Sequence, residues 1–162
     1  MPAANAHPPF QALVEAHATD VARFLRGMVG AEAAEDALQD TFLAALRAYP
    51  GFDGSNPRAW LLTIARNKAI DERRRKRPEP FADVDGIVAR GGSAQPDGEA
   101  LWAAVGSLPQ KQRAAVVLRF ALDLRYREVG EAMGTSEEAA RRSVHEGLKS
   151  LRKSDAIEEV RA

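Results

Sequence analysis

The sequence predicts an all-α protein made of two small helical domains joined by a flexible linker. Three observations lead there. Apolar residues recur at spacings of three and four along most of the chain, the mark of amphipathic helices. A stretch dense in proline and glycine interrupts that pattern near the middle. No segment alternates apolar and polar residues as a half-buried strand would.

The elements follow in order. A short N-terminus, 1–9, precedes the first periodic run. From Phe10 to Met28, the residues Phe10, Leu13, Val14, His17, Val21, Phe24 and Leu25 share one face, and Gly27 or Gly30 ends the helix. From Glu32 to Tyr49, Ala34, Ala37, Leu38, Thr41, Phe42, Ala45 and Tyr49 repeat the pattern until Pro50 stops it. A loop of glycine and polar residues spans Gly51 to Asn56. Pro57 then suits the first turn of a third helix, with Ser55 or Asn56 as its cap. That helix turns Trp60, Leu61, Ile64 and Ala65 inward and runs to the basic cluster Arg73–Arg77.

Residues 79–99 form the linker, between a first domain at 10–78 and a second at 100–154. In the second domain Trp102, Val105 and Leu108 mark a short helix, and Pro109 opens another that buries Val116, Val117 and Phe120. A third runs from Leu124 to Met133, and Gly134 ends it as a left-handed cap. Thr135-Ser136-Glu137-Glu138 fits a capping box. The last helix carries Ala140, Val144, Leu148 and Leu151 inward, and a tail follows at 155–162. Two helices joined by a short glycine-containing turn make a helix-turn-helix.

Composition bounds the function. Apolar residues make up 45% and charged residues 28%, as in an ordinary globular chain. With no cysteine there is no disulfide framework, thiolate metal site or cysteine nucleophile, and a reducing cytoplasm fits. No apolar run approaches the roughly 18 residues of a membrane span, and Met1 to Pro9 has neither the charge nor the apolar core of a secretory signal. The formal net charge is zero but unevenly spread. Residues 1–77 hold 11 basic against 9 acidic, 78–100 hold 1 against 5, and 101–162 hold 11 against 9. Two mildly basic ends flank an acidic middle. Neither end can hold DNA tightly through phosphate contacts alone, so a DNA-binding role calls for a partner. His7, His17 and His145 show no ligand spacing, and no phosphate loop or nucleophile–base motif is present. The chain is therefore expected to be no enzyme, and to need neither cofactor nor metal.

Three surfaces carry candidate function. The outer face of the last helix presents Glu138, Arg141, Arg142, His145 and Lys149. Arginine there suits a guanine edge and lysine a phosphate; the alternative is a solvated face on a plain hairpin. Along the third helix Thr63, Arg66, Asn67, Ile70, Arg73, Arg74 and Arg77 fall to one side, flanked by Phe52 and Trp60. Basic residues beside asparagine and aromatic rings suit single-stranded or melted DNA, although Trp60 also fits the core and the cations also suit a helix end. The loop 51–56 can shape a pocket for an extruded base. The second helix shows Asp36, Gln39, Asp40, Leu43 and Arg47 outward, and Leu43 is either a protein contact or a stray apolar residue.

The segment AEDALQDTFLAALRAYPGFDGSNPRAWLLTIARNKAIDERRRKRP, Ala34 to Pro78, resembles domain two of the extracytoplasmic-function (group 4) sigma factors of bacterial RNA polymerase. The segment from Leu108 to Arg152 resembles their domain four. The resemblance implies partners: core RNA polymerase, promoter DNA and an anti-sigma factor, with no membrane insertion. It implies that the polymerase clamp meets Asp36, Leu38, Gln39, Asp40 and Phe42, with Leu38 and Phe42 in support, and Leu43 is placed in the same set. It implies that minus-ten DNA is read and melted by Phe52, Asp53, Ser55, Asn56, Asn67, Asp71 and Arg74, to which the basic helix adds Trp60, Arg66, Arg73 and Arg77. The minus-thirty-five set is Arg127, Ser136, Glu137, Arg141, Arg142, His145 and Lys149. The acidic linker is implied to enter the polymerase's basic cleft.

The chain departs from the family pattern at Ala139-Ala140, at Glu146 and at Gly147, where alanine is usual; the glycine costs roughly 1 kcal/mol of helix propensity. The alternatives to a sigma factor are a stand-alone helix-turn-helix regulator and a sigma-like decoy that binds only an anti-sigma factor.

Overall fold

The computed structural model describes residues 8–76 and 99–153. Residues 1–7, residues 77–98, which include Arg77 and the expected linker up to its last residue, and residues 154–162 lie outside the described residues. Among the described residues every regular element is helical.

The N-terminal unit is three helices: α1 (Phe10–Val29), α2 (Ala31–Ala48) and α3 (Pro57–Lys76). Gly30, at φ 85°, supplies the left-handed corner between α1 and α2. The expected stripe on α1 is buried at Leu13, Val21, Phe24 and Leu25. It meets an inward face of α2 made of small residues, Ala33, Ala34, Ala37 and Ala45, which let the helix axes approach closely. Buried Thr41 keeps its hydroxyl satisfied by donating to Ala37 O at 2.7 Å. On α3 the buried residues are Leu61, Leu62, Ala65 and Ala69. Trp60 and Ile64 lie at the edge of this core.

The C-terminal unit holds α4 (Glu99–Gly106), α5 (Gln110–Val116), α6 (Tyr126–Met133) and α7 (Glu137–Lys153). Between α5 and α6 the chain makes a wide π turn at Val117–Ala121. Leu122 N–H donates to Val117 O at 3.3 Å, five residues back. That wider winding shifts the register. Val117 and Leu118 take the core, while Phe120, expected inside, stands 58% exposed. The shift also delays α6, which begins at Tyr126 rather than Leu124; Leu124 is a core residue in the connection, next to Asp123 at φ 54°. Gly134 caps α6 in the left-handed region. The expected capping box at 135–138 is only half made. Ser136 Oγ accepts from Ala139 N–H at 3.1 Å, and the position that should return the bond is Ala139, which has no side-chain acceptor.

Arg113 is 1% exposed, and its hydrogen bonds among the described residues run to backbone carbonyls. Its guanidinium donates to the carbonyls of Val105 at 3.1 Å and Leu108 at 2.7 Å, at the C-terminal end of α4. There the helix dipole is negative, and the donors of a buried cation find acceptors. The two units pack together, α6 against α3 and the π turn against α1.

Candidate nucleic-acid interface

The loop after α2 is built on aromatic rings. A short turn at Tyr49–Gly51 brings Phe52 under α3. The Phe52 ring lies 4.4 Å from Trp60 and 6.1 Å from Tyr49, centroid to centroid, and is only 6% exposed. Phe52 therefore supports the loop from beneath, and it also lines the cleft that opens beside the loop. Above it, Asp53 Oδ1 accepts from Ser55 N–H at 2.8 Å and Ser55 Oγ–H at 2.7 Å, a self-contained turn. Asn56 closes the loop at φ 41°, a left-handed conformation asparagine tolerates. Its Oδ1 accepts from Ala59 N–H at 3.2 Å, which caps α3.

A cleft of about 560 Å³ opens beside this loop, walled by Phe52, Asp53, Ser55, Asn56, Trp60 and Thr63, with Glu131 of α6 on its far side. From Trp60 and Thr63 the same face of α3 continues through Asn67, Asp71 and Arg74, all three exposed. Positions 60, 63, 67, 71 and 74 step by three and four, so they make one continuous ridge. Arg66 and Arg73 sit half-buried on the adjoining face.

Outward on α2, Asp36, Gln39 and Leu43 are exposed, and Leu46, which the sequence reading missed, joins them. Leu43 and Leu46 are each 52% exposed one turn apart, so Leu43 is no isolated apolar residue. Leu38 and Phe42 pack against the core from its edge. Asp40 pairs with Arg75 at 3.5 Å, which ties the basic end of α3 to this helix.

On α7, Arg141, Arg142, His145 and Lys149 are all exposed, opposite the buried Ala140, Val144, Gly147 and Leu151. Exposed Ser136 and Glu137 precede them, and Arg127 is exposed on α6 within 3.9 Å of Glu131. Arg141 is held from two sides, with its guanidinium 5.0 Å from the Tyr126 ring centre and 3.5 Å from Glu137. Arg119 lies 5.0 Å from the same ring. Neither Tyr126 nor Arg119 was singled out from the sequence, because their partners come from a different helix. Gly147, unusual at its position, is explained by packing. A Cβ there would stand 2.7 Å from Val116 Cγ2.

A second residue that sequence reasoning missed is Arg58. It sits in the first turn of α3, 3.7 Å from Asp20 and hydrogen-bonded to Glu128 of α6. Burial pushes the Glu128 carboxyl up, but the Arg125 backbone N–H and the Arg58 guanidinium outweigh it and hold the group below its ordinary value. Among the described residues no cluster of three or more His, Cys, Asp or Glu side chains is placed to hold a metal. No described helix is long and apolar enough to cross a membrane.

Comparison with known proteins agrees in both halves. The family model for Sigma-70 region 2 matches residues 13–79, and that for Sigma-70 region 4 matches residues 98–151. The chain is 34% identical over 159 residues to the ECF RNA polymerase sigma factor SigX of Bacillus subtilis, covering 89% of this chain and 82% of the relative. It is 35% identical over 161 residues to the RNA polymerase sigma factor CarQ of Myxococcus xanthus, covering 91% and 90%. Among solved structures, CnrH in complex with the cytosolic domain of CnrY is similar with a TM-score of 0.67 and 26% identity, over 89% of this chain and 85% of that one.

Proposed function

Because the chain belongs to the ECF sigma factors of bacterial RNA polymerase, we propose that three exposed surfaces divide the work of promoter-specific transcription initiation among named residues. The chain is an alternative sigma factor, and the division below concerns how this sequence performs that role. Domain two is assigned to 10–78 and domain four to 100–154, with the acidic linker 79–99 lying in the polymerase's basic cleft.

The α2 stripe of Asp36, Gln39, Leu43 and Leu46 docks on the polymerase clamp, with Leu38 and Phe42 holding its shape from beneath. The apolar pair gives that patch a centre and the acidic and amide groups a polar rim, the usual anatomy of a protein contact. Minus-ten DNA enters the cleft at 51–56. A base swung out of the stack fits between the loop and Trp60, while Asn67, Asp71 and Arg74 follow the strand along α3. Capture of extruded bases is what opens the duplex, since a base held in a pocket cannot re-pair. Arg141 and Arg142 read the minus-thirty-five element in the major groove, with Lys149 on a phosphate. The polymerase supplies the chemistry, so the chain works in the cytoplasm as a non-enzymatic factor without a cofactor. An anti-sigma factor is the assigned regulator, as CnrY accompanies CnrH.

The observation that carries this reading is the cleft at 51–56 and its continuation as one polar ridge along α3. The experiment is run-off transcription with purified core polymerase on genomic fragments, with start sites mapped. The wild-type chain should direct initiation at a defined set of promoters. Asn67→Ala, Arg141→Ala and Arg142→Ala should each lose about 1–3 kcal/mol of promoter recognition. Core binding without initiation favours the decoy. Operator binding without core favours the stand-alone regulator.

A further inference from the structure

Helix α7 carries two stripes of identical spacing. Ala140, Val144, Gly147 and Leu151 step by four, three and four and are buried. Glu138, Arg142, His145 and Lys149 repeat the same steps two residues earlier and are all exposed. Two residues turn a helix through about 200°, so the second stripe stands opposite the core. Its first member is a carboxylate, at the end of the helix that leads into a major groove. The neighbouring acid is occupied. Glu137 lies 3.5 Å from Arg141, whose guanidinium is also 5.0 Å from the Tyr126 ring centre. Glu138 has no hydrogen bond or ion pair among the described residues.

We propose that Glu138 is a specificity-determining residue that selects cytosine at one position of the minus-thirty-five element. This rests on the assignment of α7 to that element. A carboxylate between two phosphate strands is repelled unless it meets a donor, and when ionised it can only accept. In the major groove the donors are the N4 amine of cytosine and the N6 amine of adenine, while guanine and thymine turn acceptors toward it. Cytosine offers the amine alone. Adenine sets its N7 acceptor beside the amine, so cytosine is the better match. Arg142, one turn further along the same stripe, has the donors for a guanine edge. The helix dipole also favours an acid in this first turn, but it does so whichever base lies opposite. Selectivity among bases therefore separates the two roles.

The test uses the holoenzyme, core polymerase with the full chain, on one promoter mapped by run-off transcription. Each minus-thirty-five position is replaced in turn by all four base pairs. Initiation is measured with the wild type and with Glu138→Ala, Glu138→Gln and Arg142→Ala. All three variants change exposed side chains, and circular dichroism with a core pull-down checks that fold and core binding are kept.

At one position the wild type should prefer cytosine about fivefold or more, the low end of what one base contact discriminates. Glu138→Ala should flatten that position alone. Glu138→Gln should admit adenine there, since an amide matches the N6 amine and N7 together. A merely solvated carboxylate behaves otherwise. Its removal strengthens initiation at every sequence alike, through lost repulsion from the phosphates, and changes no preference. That result overturns the inference. So does a flattened position at which the wild type prefers another base, or a glutamine variant that rejects adenine as strongly as the wild type does. If Arg142→Ala flattens a position while Glu138→Ala flattens none, the assignment of α7 to DNA stands and only the role of Glu138 falls. If neither variant flattens any position, that assignment falls as well.

Discussion

Replacing Phe52 separates a residue that builds the loop proposed to bind DNA from one that touches DNA. Its ring is 6% exposed and packs on Trp60 and Tyr49. Phe52→Ala removes a buried aromatic side chain, which costs about 3–5 kcal/mol. For a domain of this size that lowers the melting temperature by more than 10 °C, at roughly 4–8 °C per kcal/mol. Phe52→Leu keeps most of the apolar volume and loses mainly the ring pairing, worth about 0.5–1.5 kcal/mol per aromatic pair. Thermal melting followed by circular dichroism gives the stability, and run-off transcription well below the lower midpoint gives the function. The leucine variant should melt several degrees early yet retain transcription within about threefold. A base-stacking ring would instead lose about 1–3 kcal/mol of DNA binding. If the leucine variant melts like the wild type while promoter opening collapses, Phe52 contacts a base and the supporting role is refuted.

Gly147→Ala should destabilise domain four despite the better helix former. The new methyl meets the buried Val116 at 2.7 Å, and overpacking of about 1–3 kcal/mol exceeds the roughly 1 kcal/mol propensity gain; a lower melting temperature checks it. His17 gives stability a pH dependence. Burial lowers its imidazole below the ordinary 6.5, against the pull of the Asp20 carboxylate and with the help of Arg58. The folded chain then binds that proton less readily than the unfolded chain. This contribution is therefore complete above about pH 6.5 and is lost as pH falls from there to the folded value. His17→Gln should flatten the urea-midpoint profile in that window. Tyr126→Leu frees Arg141 from the ring that positions it. It should weaken discrimination between minus-thirty-five sequences by about 0.5–1 kcal/mol, the worth of one exposed cation–π contact, while core binding in a pull-down stays unchanged.

Period and punctuation made most of the fold legible. The inward stripes of α1 and α3, the stop at Pro50 and the cap at Gly134 follow from spacing and from backbone preference. The exposed faces of α2 and α7 were readable for the same reason, since the side opposite an apolar stripe is outward. Three features were not readable. The π turn at 117–121 exposes Phe120 because one extra residue is wound into the helix, and no side chain announces it. Arg58 looks like any polar residue in a first helical turn until α6 brings Glu128 to it. Phe52 reads as a loop aromatic, and only the fold of 49–52 tucks it under Trp60. Of these, the Arg58 contact joins elements 70 residues apart, while the other two are local windings of the backbone.

Arg113 divides the meeting of the two units into unlike halves. The charge there is balanced by carbonyl dipoles of the backbone, and its Nη1 also lies 3.4 Å from Met28 O at the end of α1. Among the described residues acid has no paired carboxylate to neutralise at that point, and dissolved ions do not reach a side chain 1% exposed. The far edge, where Arg58 holds Glu128, responds to both. One margin of the meeting is insulated from acid and salt, and the other is open to both.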